Sequence, residues 1–420
     1  MTAAAPPRRV KATVAALGMS TFVEWLGASA IIPLLPVFLR THGSSDTMVG
    51  ATMASFFAAA FVAQYPAGRL SDRIGRRPIQ LAGLGLYAVA SLTFGFVTAP
   101  VGALVLRSLQ GAGSGVVQVA SAAVIGETVP EPWRGRAFAI FYGCSTAGLA
   151  VGPLVGTLVG ARSMRPVFLA AAACAALACL PVALLVPGGR PAAVLSAVRT
   201  GGRRVAIRSG LLLRRVVLGV AAAAVSTGLL TGTYEVCWSL LLKARGAQDW
   251  QIGLSWTLFA IPFVAMSVPA GWLVDHFDRR YLVAVSLLAS AAFVCTYPWV
   301  HDVTVLIVLV TFEATTVALG APAMLALLSG AVAPTELGRA QGVVASSQTA
   351  ATAVAAAVAG PLFAVHTEVP FLAAGAGVVL CVAVLSICWR GVAGRPGSGG
   401  ISAEAPVPAL HMSTVAQVVG

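Results

Sequence analysis

Asparagine does not occur anywhere in the 420 residues, so the chain offers no N-glycosylation acceptor. Charge is nearly as scarce: 10% of the residues are Asp, Glu, Lys or Arg, against roughly 25% in a soluble domain. So few charges cannot cover a water-facing surface, which excludes a soluble globule. No Walker motif is present, Gly111-x-Gly113 lacks the third glycine of a dinucleotide loop, and Gly113-Ser114-Gly115 is not a nucleophile elbow. ATP-driven work by this chain alone is thereby excluded, and an ion gradient is left as the energy source. His276, His301 and His366 are scattered through connectors, so no metal site is indicated. Cys144, Cys174, Cys179, Cys237, Cys295, Cys381 and Cys388 all lie in apolar stretches without a CxxC pair, and read as small hydrophobes. With no converging His/Asp/Ser cluster, enzyme activity is not expected, nor is a cofactor beyond a proton gradient.

What the sequence does hold is apolar length. Hydrophobic residues make up 58% of the chain, and they gather into runs of about 20, the length that spans a bilayer. Twelve spans are expected at approximately 13–38, 47–67, 79–98, 101–125, 136–160, 166–186, 213–242, 251–272, 281–299, 303–332, 341–364 and 369–389. Arg8, Arg9 and Lys11 resemble the charged start of a signal peptide. The run that follows continues to Phe38, contains Glu24 and ends without a cleavage site, so it is read as a retained first helix. The spans 13–38 and 303–332 exceed the hydrocarbon thickness and should tilt, bend or project.

The net charge of +13 sits in the connectors. Sorted by alternate loops, 21 basic residues fall on the side of the N terminus and 5 (Arg40, Arg162, Arg165, Lys243 and Arg245) on the other, with Arg107 inside a span. By the positive-inside rule both termini are cytoplasmic, and nucleic acid is not the expected partner. The chain divides into a six-helix unit at 1–186, a Gly-, Pro- and Arg-rich cytoplasmic linker at 187–212, a second six-helix unit at 213–389, and a Gly/Pro/Ser/Ala-rich tail at 390–420 that is expected to be disordered.

A constant shift of 203 residues superposes the two units. Gly43 meets Gly246, Asp46 meets Asp249 and Gly50 meets Gly253. Pro66-Ala67-Gly68 meets Pro269-Ala270-Gly271, Asp72 meets Asp275, Arg76-Arg77 meets Arg279-Arg280, and Gly135-Arg136-Ala137 meets Gly338-Arg339-Ala340. Such a repeat implies two bundles related by an axis along the membrane normal, with a substrate path between them. The fold class expected is therefore an all-α membrane protein, twelve transmembrane helices in two pseudo-symmetric six-helix bundles.

Gly68-Arg69-Leu70-Ser71-Asp72-Arg73-Ile74-Gly75-Arg76-Arg77-Pro78, between the second and third spans, resembles the signature loop of the major facilitator superfamily. A weaker copy runs from Gly271 through Asp275 to Arg279-Arg280. Three further segments resemble the drug:proton antiporter branch: Ile32-Pro33-Leu34-Leu35-Pro36, Arg107-Ser108-Leu109-Gln110-Gly111, and Gly148-Leu149-Ala150-Val151-Gly152-Pro153-Leu154-Val155-Gly156. Thr157 and Ala139 depart from that branch, which often has Gly at both places. The resemblance implies alternating access, with Gly68, Asp72, Arg73, Arg76, Arg77, Asp275, Arg279 and Arg280 as gating-loop residues. Asp72 is a candidate to cap a helix of the other half, a contact that breaks as the halves rock; the alternative is that the arginines only set topology. Gly148, Gly152, Gly156 and Gly160 recur on one face as a backbone-contact strip, and Pro153 bends that helix.

Glu24, Arg107, Glu235 and Glu313 fall within spans, where each costs on the order of 3 kcal/mol unless it meets a cavity or a partner. Glu24 and Arg107 are the leading candidates for proton coupling or substrate contact, followed by Glu235 and Glu313; the alternative for each is a buried pair that fixes packing. Arg107 is expected to stabilise ionised Glu24. Phe56, Gln110, Tyr142, Tyr234, Trp238, Trp256 and Phe259 are candidates to line a cavity. Tyr297, Trp299 and Trp389 are expected to be interface anchors, and Asp46 and Asp249 helix N-caps. Together with the resemblance to the antiporter branch, on which the drug label rests, this implies proton-coupled efflux of lipophilic, cationic small molecules or drugs by a monomer in a bacterial inner membrane. The alternatives are export of a lipid or metabolite, proton symport, or a non-transporting membrane sensor. The partners expected are the bilayer, protons and a small-molecule substrate.

Overall fold

The computed structural model describes residues 8–97, 99–158, 163–188, 214–332 and 334–391. The linker expected at 187–212 and the tail at 390–420 lie almost wholly outside these residues, as does Gly160. Among the described residues all regular structure is helical. The N-terminal half contains α1 (Arg8–Ile31), α2 (Leu35–Thr41), α3 (Asp46–Ile74), α4 (Arg76–Phe94), α5 (Pro100–Thr128), α6 (Glu131–Thr157) and α7 (Arg165–Leu185). The C-terminal half contains α8 (Arg215–Ala244), α9 (Asp249–Ala265), α10 (Ser267–His276), α11 (Arg279–Thr296), α12 (Val303–Ala331), α13 (Pro334–Val365) and α14 (Val369–Cys388). A 3₁₀ turn, Tyr297–Trp299, follows α11.

Among the described residues ten segments are long and apolar enough to cross a membrane, counting α1–α2 as one. The 19-residue α4 and the pair α9–α10 complete twelve. Proline explains both interruptions. In the first span the helix stops at Ile31 and restarts at Leu35, because Pro33 has no N–H to continue the ladder. In the eighth it breaks at Met266, four residues after Pro262 and three before Pro269.

The two halves repeat one packing scheme. In the first, α1 lies against α6 and α7, α5 against α3 and α4, and α4 against α7. In the second, α8 lies against α13 and α14, α12 against α9 and α11, and α11 against α14. Close crossings are kept while the glycine changes side. Gly148 packs on the backbone of Phe22 and on Trp25 of α1, whereas 203 residues on, Gly228 of α8 packs on Ala351 of α13. Large side chains on both partners would separate the axes, so one of the two must be small.

Between the halves, α3 packs on α13 and α6 on α9. Both contacts are tight at the end that carries the glycine turns Gly43 and Gly246, each with positive φ (86° and 84°). There a Cβ on Gly50 would lie 2.8 Å from the Ala356 carbonyl and 3.0 Å from the Gly360 Cα. A Cβ on Gly253 would lie 2.7 Å from the Pro153 carbonyl and closer still to Thr157. Shifted by 203, Gly50 becomes Gly253, Pro153 becomes Ala356 and Thr157 becomes Gly360. The closed end is thus one contact made twice. At the other end, called here the loop end, Gly271, Gly338 and Gly342 have no neighbouring atom within 4 Å of the place a Cβ would take.

Three expectations change. Ser45, not Asp46, caps α3 by accepting from the Met48 N–H at 3.2 Å; Asp46 begins the helix and pairs with Arg40 at 3.1 Å. Asp249 likewise begins α9 and pairs with Lys243 at 2.8 Å. Of the three expected interface anchors only Trp299 is exposed, while Tyr297 and Trp389 are buried in the core of the C-terminal half.

Candidate functional site

Glu24 lies near the middle of α1 and is buried. Its polar neighbours, Ser114 of α5, Tyr87 of α4 and Cys179 of α7, all belong to its own half. It forms no ion pair among the described residues. The expected Glu24–Arg107 pair is therefore not made, although Tyr87 neighbours both.

Arg107 is buried on α5, a helix kept slim where it meets α3 by Gly111 against Phe56 and Gly115 against Ala60. Its Nη1 donates to Gln110 Oε1 at 3.0 Å, and Gln110 Nε2 donates to Ser91 Oγ of α4 at 2.9 Å. The guanidinium lies 4.4 Å from the centroid of the Phe56 ring. This leaves Nε without a partner. Across the interface, Glu235 of α8 is the acidic neighbour of Arg107, and its Oε2 also has no partner. The two buried charges are thus electrostatic neighbours from opposite halves without forming an ion pair, each with an unused polar atom.

One residue before Glu235, Tyr234 turns the other way. Its hydroxyl donates to Glu313 Oε1 of α12 at 2.7 Å, and the Tyr297 hydroxyl donates to Glu313 Oε2 at 2.5 Å. Trp238 stacks edge-on against both tyrosines, with centroids 6.3 and 5.1 Å away, and donates to Ser255 Oγ at 2.9 Å. Tyr234 and Trp238 are thus buried members of a polar cluster. Trp256 is half-buried, within 3.4 Å of Ser239 Oγ, and Phe259 packs on Phe263. Tyr142 is exposed on α6, stacked on Phe138.

The α3–α4 loop is satisfied within its own half. Arg76 holds Asp72 at 2.6 Å and Glu127 of α5 at 2.5 Å, and also donates to Ser71 Oγ. Gly68 faces Val119, and Arg73 is exposed, while Arg77 is half-buried. In this conformation Asp72 does not reach a helix of the other half, because the loop ends stand apart. In the second copy Asp275 is exposed, Arg279 donates to the Val274 carbonyl at 3.4 Å, and Arg280 pairs with Asp278 at 2.6 Å. On α6, Gly148, Gly152 and Gly156 face α1, and Pro153 meets Gly253 of α9.

The sequence marks neither Ser114 nor Tyr87 as a site residue, and Tyr297 only as an expected interface anchor. The repeat held one signal: Tyr297 stands 203 residues after Phe94, which is itself buried, so the same seat gains a hydroxyl in the second half.

Comparison with known proteins places this geometry. The model of a family described as Major Facilitator Superfamily matches residues 17–241 and 220–416. Multidrug resistance protein 1 of Bacillus subtilis is 26% identical over 391 residues, which is 90% of this chain and 96% of that protein. A match to an uncharacterised MFS-type transporter of Methanocaldococcus jannaschii is 29% identical over 151 residues, and there the chain spans 39% of its relative's length. Among solved structures, a D-xylose-proton symporter shares the fold with a TM-score of 0.73 at 18% identity, covering 92% of this chain and 98% of that one.

Proposed function

The chain belongs to the major facilitator superfamily, and from that premise we propose that it exchanges protons for lipophilic, cationic small molecules, exporting them across a bacterial inner membrane as a monomer. The observation that carries this reading is Glu24: a carboxylate buried midway along a spanning helix, with no basic partner among the described residues. Intramembrane carboxylates of that kind mark proton and substrate paths. Orientation follows from the arginines, which put the loop end in the cytoplasm. The open loop end then faces the cell interior, the state that takes up a molecule for export. Of the four membrane-embedded charges among the described residues, three are carboxylates and one is Arg107. That balance favours cations. The likeness to a multidrug resistance protein points the same way.

The test uses purified protein in liposomes with an imposed pH gradient and ethidium as the probe. Glu24→Gln keeps size and hydrogen bonding and removes the proton. Gradient-driven exchange should fall at least tenfold, while ethidium binding in detergent persists and loses its dependence on pH. Full proton-driven exchange by Glu24→Gln would remove Glu24 from the proposal.

A further inference from the structure

We propose that Glu313, Tyr234 and Tyr297 form a second proton-binding site in the C-terminal half, so that one transport cycle moves two protons. The inference rests on the proton-exchange reading but uses a different half of the molecule.

Glu313 has no exposed surface. It is ten residues into α12, about 15 Å from that helix's start at 1.5 Å per residue. Both carboxylate oxygens are engaged, one by Tyr234 at 2.7 Å and the other by Tyr297 at 2.5 Å. These two phenols are its titratable neighbours, with Cys295 of α11 standing beyond Tyr234. No ion pair reaches it among the described residues, so its ionised form is an uncompensated charge in hydrocarbon. Two O–H groups present hydrogens to the carboxylate. A metal ion needs several ligating side chains and no such group occurs among the described residues, so the cation that fits this seat is a proton. Once protonated, the carboxyl becomes a donor, and one tyrosine hydroxyl must turn to accept from it. The partners come from three elements, α8, the turn after α11, and α12, so the proton changes how those helices are tied. Tyr297 belongs to the turn that carries the exposed Trp299 at the closed end.

Packing alone does not account for a carboxylate here. The repeat places Gln110 at the equivalent position, and there a neutral amide ties α5 to α4 through Ser91. Phe94 occupies the seat of Tyr297. At these two positions the first half therefore has a neutral amide and a phenyl ring, beside Arg107, where the second half has a carboxylate and a phenol.

Two measurements on the full chain test this. In liposomes, exchange of two protons for one ethidium carries net charge inward, so an interior-negative potential set with potassium and valinomycin should accelerate wild-type export several-fold at fixed pH gradient. Glu313→Gln, which copies the amide of Gln110, should cut the proton-to-ethidium ratio from two to one and abolish that acceleration. Independently of any substrate, the infrared carboxyl band of detergent-purified Glu24→Gln/Glu235→Gln protein should still respond to pH. The component due to Glu313 should disappear with added Glu313→Gln, leaving that of the other carboxylates, and shift with Tyr297→Phe, a change that Phe94 shows the fold accommodates. A potential-dependent Glu313→Gln, or an infrared response unmoved by it, overturns the second site. Wild type that ignores the pH gradient while the infrared response still follows Glu313 sinks the exchange reading and leaves the proton site standing.

Discussion

Arg107 is held from several directions, and this fixes what can replace it. Its guanidinium covers the Phe56 ring at 4.4 Å, donates to Gln110 at 3.0 Å and keeps Nε free, with Glu235 as its acidic neighbour. A planar group can stack and donate at once; an ammonium is a point charge on a flexible stem. Arg107→Lys, which keeps the charge, should therefore lose more than tenfold of ethidium exchange in liposomes, with normal yield of folded protein. Wild-type exchange by the lysine variant would mean that charge alone is needed here. At this scale the sequence was partly legible. Buried charges stand out against apolar runs, so Glu24, Arg107, Glu235 and Glu313 could be picked out one by one. Their partners could not, because contacts across helices depend on rotation about each axis. The expected Glu24–Arg107 pair failed for that reason, and Tyr297 was read as an anchor because an aromatic near a helix end looks the same whether it faces lipid or a carboxylate.

Between helices, the glycines of α6 decide how near α1 may come. A Cβ on Gly152 would lie 2.5 Å from the Leu26 carbonyl of α1 and closer to Ser29 Oγ, whose own bond to the Gly148 carbonyl at 3.2 Å ties the same crossing. Neither helix can yield locally, since both obstacles belong to a helix that α7 supports from behind. Gly143 lies on the same helix with nothing near it. The pair makes a controlled experiment. Gly152→Leu should destabilise by at least about 1–3 kcal/mol through overpacking, seen as a lower melting temperature of the monodisperse protein in detergent. Gly143→Leu should melt like wild type. Equal melting of the two would show that the strip does not set the α1–α6 distance. A four-residue glycine period was visible in the sequence and identified a contact face. The partner was not visible, and the equivalent crossing in the second half hid itself, because there the glycines sit on α8 and the alanines on α13.

For the whole molecule, the 203-residue repeat carried most of the fold, since it matched loops at both ends with one offset. It also explains how the molecule closes. A protein of two equivalent halves meets itself through equivalent contacts, here Gly50 with Ala356 and Gly360, and Gly253 with Pro153 and Thr157. The sequence showed Thr157 only as a departure from a motif. The structure shows it as the partner of Gly253, with Gly360 as its counterpart across the pseudo-axis. At Gly360 a Cβ would strike the Asp46 carbonyl and approach the Gly50 Cα at 3.0 Å, backbone atoms that cannot rotate away. A leucine there opposes closure of this end without touching Glu24, Arg107 or Glu313. Because rocking bundles trade closure at one end for closure at the other, Gly360→Leu should shift the population toward the state in which the loop ends meet. Spin labels at Thr47 and His366, both exposed near the closed end, on a background without native cysteines, would report this as a longer distance than in the protein with Gly360. Exchange should fall with it, since a transporter that cannot close one end cannot complete a cycle. Gly253→Leu, the same change at the pseudo-equivalent contact, should have the same effect. An unchanged label distance in both variants would mean that the two glycine contacts follow closure and do not determine it.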